Sequence, residues 1–429
     1  MTYRADLPQT VFALDTTIQT YDWGSRTAIA DLLGLEPDGN PQAELWMGTH
    51  PAGPSVALLR GGERVLLGDV IAQDPIAMLG ERVSNEFGPR LPYLFKILAA
   101  DKALSVQSHP LDHVARAGFN RDNAAGLTPN APGRTYSDPR HKPEMIYALT
   151  EFAALAGFRD ARAARHMLAD LDGGLAERLR EALAAPSSNM NRAGAQAIRA
   201  AFAVLMDARL ADTGTMDCRG SDDVAEVLAS VQQRLDSADP SLASARQLAD
   251  RAVLRLAEEH PGDPCVLAPY LMNHVLLKQG EALYIPPSVA HAYLHGVGAE
   301  IMASSDNVIR GGLTSKRVDG PAFLEVTRFD PGPAEVLTGA MIVEVGHVQT
   351  LRVPVPEFAL TVIDSEAGWP LALPERGPRI ALSVVGDVEL ITAAGEHRRL
   401  RQGSAVFVAH AAGAVSVIGD GRIVVGWTP

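Results

Sequence analysis

A change of texture constrains this chain more than any single motif. From residue 10 to about 105 it runs in short apolar segments such as Val65-Leu66-Leu67 and Phe95-Lys96-Ile97-Leu98, broken by Gly, Pro and Asn. That pattern reads as strands and turns with a few short helices. From Arg159 to about residue 262, Ala, Leu, Arg and Glu take over. Val224, Val227, Leu228, Val231 and Leu235 recur at i, i+3, i+4, i+7 and i+11, with Ser221 ahead of them as a plausible N-cap. Ala245, Leu248, Ala249, Ala252 and Leu256 repeat the spacing, so this block should hold roughly five helices. Strand-like sequence returns at Val275 and runs to the C-terminus, for example in Leu283-Tyr284-Ile285, Ile342-Val343-Glu344-Val345, Ile380-Ala381-Leu382-Ser383 and Ala405-Val406-Phe407-Val408. The helices therefore interrupt a β architecture. Residues 112 to 140, with Gly118, Gly126, Pro129, Pro132 and Gly133, read as a loop-rich excursion.

Composition narrows the function classes. A chain of 429 residues exceeds what one core usually supports, and 47% apolar with 21% charged residues suits a globular protein. A formal charge of -13 repels phosphate polyanions, so neither nucleic acid nor an anionic membrane is expected as a partner. A small anionic substrate would need its own cluster of Lys and Arg. Cys218 and Cys265 share no metal-type spacing and read as free thiols of a reducing cytosol, with a single structural disulfide as the alternative. The N-terminal residues lack an apolar leader segment, and no run of about 18 apolar residues occurs, so a cytoplasmic location is expected.

Three motifs carry chemistry. Gln107 and His109 are two apart, which on a strand puts both side chains on one face, and Pro110 ends or bends that strand. Alone, such a pair is ordinary polar sequence at a strand end. Glu144 closes His141-Lys142-Pro143-Glu144, ahead of the strand-like Met145-Ile146-Tyr147-Ala148-Leu149. Alone, it reads as a surface ion-pair segment. Gly280 is followed after five residues by Pro286, and His291 stands five further on. This resembles the second signature of the cupin jelly roll, with Ser288 where that pattern usually has Gly. Gly403 opens a similar segment but puts Ala414 where the metal-binding His would stand, so the C-terminal β region reads as a jelly roll without a metal site and His410 as a loop histidine.

Two imidazoles, one carboxylate and one amide oxygen, without thiolate, suit Zn²⁺ best and Mn²⁺, Co²⁺ or Fe²⁺ less well. Bringing His291 to Gln107 and His109 requires a discontinuous first domain. The expected plan is mainly β with an α-helical insertion: residues 1–158 and 263–334 as a catalytic jelly roll, 159–262 as an inserted helical domain, and 335–429 as a second jelly roll.

Five blocks make the chain resemble the type I phosphomannose isomerases (mannose-6-phosphate isomerases). They are Tyr21-Asp22-Trp23-Gly24-Ser25, Ala43-Glu44-Leu45-Trp46-Met47-Gly48-Thr49-His50, Leu104-Ser105-Val106-Gln107-Ser108-His109-Pro110, Asp138-Pro139-Arg140-His141-Lys142-Pro143-Glu144, and Ser305-Asp306-Asn307-Val308-Ile309-Arg310-Gly311-Gly312-Leu313-Thr314-Ser315-Lys316. The resemblance implies one Zn²⁺ per chain at Gln107, His109, Glu144 and His291, and interconversion of mannose 6-phosphate and fructose 6-phosphate through a cis-enediol-type intermediate. It further implies Arg310 as the catalytic arginine, Glu300 with Tyr293 at the proton transfer, and Lys96, Ser105, Lys142 and Lys316 around the phosphosugar. Gly311 stands where many members have Ala, and Ser315 where many have Pro. A monomer acting on a small phosphosugar is expected, serving mannose breakdown or the supply of GDP-mannose.

Blander readings exist for several of these residues. Arg310 would pair with Asp306 and merely hold its loop, Lys96 would be a snorkelling strand lysine, and Glu300 would support His291. Trp23 and Trp46 default to core packing. At the level of the whole chain, the alternatives are a non-catalytic sugar-phosphate-binding cupin, an isomerase of a related phosphosugar, or an Fe²⁺ oxygenase. Retention of Lys142, Glu300, Arg310 and Lys316 beside the ligands favours an enzyme acting on a phosphosugar.

Overall fold

The computed structural model describes residues 9–129, 131, 133–184, 192–213, 219–238, 244–338, 341–366 and 369–429. Two sheets of eleven strands each dominate it, and their strands pair antiparallel. The first draws on Thr17–Gln19, Glu44–Met47, Tyr93–Ala100, Val106–Ser108, Glu144–Ala148, Phe152–Phe158 and the returning strands between Met272 and Val336. The second is built mainly from strands after Ile342, but it also recruits Val11–Asp15, Val56–Leu58 and Arg64–Leu66. Val11 lies opposite Val408 in its ladder, so the two ends of the chain close one sheet.

Helices Ala161–Met167, Gly174–Ala184, Ala193–Thr213, Arg219–Asp236 and Ala245–Glu259 occupy the expected block. Phe158 and Met272 are ladder partners, so the chain leaves and re-enters the first sheet at neighbouring positions. Arg219–Asp236 starts two residues before Ser221, which therefore lies inside the first turn rather than capping it. In Ala245–Glu259 the buried face runs through Ala249, Asp250, Val253 and Leu256, whereas Ala245 is exposed. The face is rotated because Asp250 is buried against Arg234 and the Tyr270 hydroxyl, 2.8 Å away.

The excursion over 112–140 is partly helical, contrary to expectation: Asp112–Ala124 forms a helix straight through Gly118. A Cβ at Gly118 would stand 2.3 Å from the Tyr136 ring. That glycine marks a close approach of ring to backbone, and not a break. Cys265 is a free, buried thiol, while Cys218 lies outside the described residues.

Apolar side chains from both sheets share one core, with Phe95, Ile97 and Ile301 from the first against Leu360, Ile380 and Val424 from the second. The second roll repeats the first's wiring with a changed residue. Five residues after Gly280, Ile285 pairs with Glu144, and Glu144 pairs onward to Met302. Five residues after Gly403, Val408 pairs with Arg379, and Arg379 pairs onward to Trp427. Arg379 thus holds in the second roll the lattice position that Glu144 holds in the first. It is fully buried and donates to the carbonyls of Ala409 (2.5 Å), Gly413 (2.8 Å) and Pro374 (2.9 Å). A fixed guanidinium fills the second roll where the first presents a carboxylate. His410 sits on a short 3-10 turn in the same loop, its Nδ1 accepting from the Gly377 amide. Among the described residues no helix is long and apolar enough to cross a membrane.

Candidate metal centre

Gln107 lies on Val106–Ser108, a three-residue strand whose neighbours in register are His291 on one side and Arg310 on the other. One row across three strands therefore carries two expected ligands and the expected catalytic arginine. His109 follows the strand directly, and its main-chain oxygen accepts from the Ser288 amide at 2.7 Å. Ser288, where the cupin pattern has Gly, takes φ +70°, the left-handed region, which costs a non-glycine residue roughly 1–2 kcal/mol. That turn aims His291 at His109, their ring centroids 5.1 Å apart.

His109, Glu144 and His291 offer ligand atoms all within 4.8 Å of one another, and all three residues are buried. Nδ1 of His109 donates to the Asn307 carbonyl at 2.7 Å and Nδ1 of His291 to the Val289 carbonyl at 3.1 Å. Each imidazole therefore turns a bare Nε2 lone pair toward Glu144, at 3.3 Å and 3.1 Å. Burial, outweighing the nearby Glu144, pushes His109 down to about 4, so it stays neutral at pH 7. Lone pairs facing a carboxylate with no proton between them are a set of donors that could hold a cation. Gln107 Nε2 stands 3.2 Å from His291 Nε2, and a half-turn of that amide presents its oxygen to the same point.

Charge surrounds this point in a fixed pattern. Lys142 donates to Glu144 at 2.5 Å, and both are buried. Burial alone would raise Glu144, but the Lys142 ammonium leads the contacts that hold the carboxyl well below its ordinary range. Lys96 lies across the ladder from Glu300 and reaches both Glu300 and Glu44 at 2.7 Å. Burial would lower Lys96, yet Glu300 and Glu44 raise it well above the ordinary lysine value. Glu300 is raised, by burial first and by Glu144 and Glu44 against the opposing Lys96. Tyr293 is likewise raised, by burial and then by Glu300. Three buried carboxylates, Glu44, Glu144 and Glu300, thus face two buried ammonium groups, Lys96 and Lys142, leaving a negative excess that favours a bound cation.

A cleft of about 410 Å³ opens over the cluster, lined by Gln107, Lys142, Glu144, Glu300, Tyr293 and Arg310 among others. Ser105 and Lys316 also line it, with Lys316 4.9 Å over the Tyr21 ring. Arg310 is not paired with Asp306, whose carboxylate meets His50 Nε2 at 3.0 Å. The Ala52 amide donates to His50 Nδ1 at 3.2 Å, so Nε2 carries the proton that Asp306 accepts. His50, Asp306, Glu44 and Tyr21 lie in the quoted blocks, but a linear reading gave them no chemistry. Trp46 is buried, and its indole donates to Glu44 at 3.0 Å, two residues away on one strand face. That i, i+2 spacing of Glu44 and Trp46 was the available signal. His260, at the end of the helical block, also borders the cleft.

Residues 11–161 match the family description of the phosphomannose isomerase type I catalytic domain. A mannose-6-phosphate isomerase of Escherichia coli (strain K12) is 34% identical over 412 residues, 96% of this chain and 97% of that protein. The chain belongs to the type I phosphomannose isomerase family. Within it, the mannose-6-phosphate isomerase of Mus musculus is 33% identical over 82% of this chain and 81% of its own. A zinc-bound crystal structure of a mannose 6-phosphate isomerase superposes with a TM-score of 0.83 at 32% identity, covering 98% of this chain and 100% of that one. A mutant phosphomannose isomerase from Salmonella typhimurium superposes at 0.84 with the same identity and coverage. The architecture of this family member is accordingly the cupin-type fold of two β rolls with helices.

Proposed function

We propose that this phosphomannose isomerase interconverts mannose 6-phosphate and fructose 6-phosphate with one Zn²⁺ per chain. The observation that carries the reading is the convergence of two bare imidazole lone pairs and a carboxylate, beside Arg310, in a buried negative pocket. His109, Glu144 and His291 would hold the ion, with the Gln107 amide oxygen as fourth donor. Bound there, Zn²⁺ supplies Lewis-acid polarisation of a substrate oxygen and stabilises the negative charge that develops on it.

The remaining work falls to the chain's own groups. The reaction removes a proton from C2 of the aldose, passes through a cis-enediol-type intermediate, and returns a proton to C1, while a hydroxyl proton moves between the two oxygens. Glu300 takes the carbon-bound proton in this reading, its raised carboxyl being closer to the working pH than an exposed glutamate. Lys96, bridging Glu44 and Glu300, orients that carboxylate rather than contacting the phosphate. Tyr293 keeps its proton and serves as a donor. Arg310 presents a permanent charge to the developing oxyanion. Ser105 and Lys316 take the phosphate end, and Lys142 balances Glu144.

Residues 1–158 with 263–334 would form the catalytic roll, 159–262 the inserted helical domain and 335–429 the second roll, with three N-terminal strands lent to the second sheet. A cytoplasmic location agrees with the free buried Cys265, and the chain would act as a monomer. The test is fructose 6-phosphate formation from mannose 6-phosphate, with and without chelator, for the purified chain and His109→Ala. We expect chelation and the substitution each to abolish turnover, with zinc lost from the variant. Full activity in metal-free His109→Ala refutes the reading.

A further inference from the structure

The loop that carries Arg310 and Lys316 is held from behind by the helical block. Leu313, three residues after Arg310, is buried and takes φ +54°, a strained conformation for a branched residue. Such strain persists only where neighbours over-determine it. Asp263, at the exit of the helical block, accepts from the Leu313 amide with Oδ2 at 2.8 Å and from the Cys265 amide with Oδ1 at 2.9 Å. Arg209, on helix Ala193–Thr213, pairs with the same Asp263 Oδ2 and donates through Nη2 to the Thr314 carbonyl at 2.6 Å. Cys265 Sγ lies 3.2 Å from the Gly311 carbonyl.

Packing repeats the connection. A Cβ at Gly312 would stand 2.3 Å from Cys265, and one at Gly311 2.9 Å from the Phe323 ring. Phe323 stacks on Phe202 of the same helix as Arg209, centroids 5.3 Å apart. An alanine at 311 would collide with that ring.

We propose that Arg209 and Asp263 are positioning residues for isomerisation: a latch through which the inserted helices fix the loop that presents Arg310 and Lys316 to the substrate. Neither residue touches the cleft, so the latch acts through the backbone of Leu313 and Thr314. The proposal rests on the isomerase reading for its activity readout. Misplacing a catalytic group by about 1 Å costs roughly 100-fold in rate.

The experiment compares Arg209→Met, Arg209→Lys and Asp263→Asn with the wild type in kcat, KM, zinc content and amide hydrogen exchange over residues 311–316. We expect Arg209→Met to retain zinc, lose about 100-fold in kcat with a smaller change in KM, and speed exchange in the loop. Arg209→Lys, which keeps the charge and one donor, should recover part of the rate. Wild-type kcat in a folded, zinc-loaded Arg209→Met, or a rate loss with unchanged loop exchange, overturns the latch. If Arg209→Met does not fold, Asp263→Asn gives the same comparison, since it removes the charge and turns one of the two acceptor oxygens into an amide donor. A wild type without isomerase activity refutes the function alone, because loop exchange still decides the latch.

Discussion

Replacing Arg379 by Met tests whether a guanidinium has taken over the structural place of the metal in the second roll. Arg379 makes three donations to main-chain carbonyls. Bonds from a charged donor contribute roughly 1.5–3 kcal/mol each, and burying the guanidinium costs several kcal/mol in return. That cost shows in its pKa, which burial pushes down to about 10. Methionine removes the charge and the donors together while keeping a similar length. The buried Ala409 carbonyl would keep only the Ala412 amide, at 3.1 Å, and lose a charged hydrogen bond of about 1.5–3 kcal/mol; Pro374 and Gly413 are half-buried and reach water more easily. The net expectation is a loss of about 3 kcal/mol, within the range for breaking one side of a buried charged contact. Urea unfolding followed by tryptophan fluorescence suits the test, because Trp427 is the ladder partner of Arg379. Zinc content and kcat should stay at wild-type levels, since none of the proposed ligands belongs to that roll. Arg379→Lys should fall between the two, a point charge reaching fewer of the three carbonyls. A loss below about 1 kcal/mol for Arg379→Met would refute the reasoning, since satisfied carbonyls would then not depend on the cation.

Two further outcomes follow from paired charges. His141 Nε2 meets Glu357 at 2.6 Å, joining the segment before Glu144 to the C-terminal region. Burial alone would lower His141, but its hydrogen bond and charge contact with Glu357 raise it. A raised histidine stabilises fully below its unfolded value of about 6.5 and loses that contribution as pH climbs through the folded value. Glu357→Gln should therefore cost roughly 1 kcal/mol at pH 5.5 and progressively less toward pH 8.5, read by urea unfolding at both pH values; a difference that grows with pH contradicts the assignment. Lys96→Met should cost about 3–5 kcal/mol by leaving Glu44 and Glu300 uncompensated, and isomerisation should fall with it. Undiminished thermal stability in Lys96→Met would show that the two carboxylates do not need the ammonium.

The parts of this protein that a linear reading could reach are those whose spacing coincides with a local period. The Gln107–His109 pair, Glu144 at the head of its strand and His291 after its turn were legible because each sits at a strand boundary beside turn residues. The helical block was legible because helical periodicity is written within a few turns. What escaped was set by pairing between distant strands. Nothing near Val11 says that it will lie against Val408, nor does Arg379 look like the counterpart of Glu144 until the ladders are aligned on Gly280 and Gly403. Gly118 misled for a related reason, because the Tyr136 ring that demands a glycine arrives from eighteen residues away.

The same distinction explains the altered reading of Lys96. In sequence it is one cation among several that suit a phosphate. In the sheet it stands directly across from Glu300, one strand from Trp46 and within reach of Glu44. Lys96 lines the cleft, but a buried ammonium already holding two carboxylates at 2.7 Å would have to give up both contacts to take a phosphate. Losing them would strand two buried charges, a cost that one phosphate contact at the edge of the cleft does not offset. The lysine's chemistry is therefore turned inward, toward Glu300. Arg310 and Lys316 instead line the cleft from a loop whose Leu313 amide and Thr314 carbonyl are bound by Asp263 and Arg209.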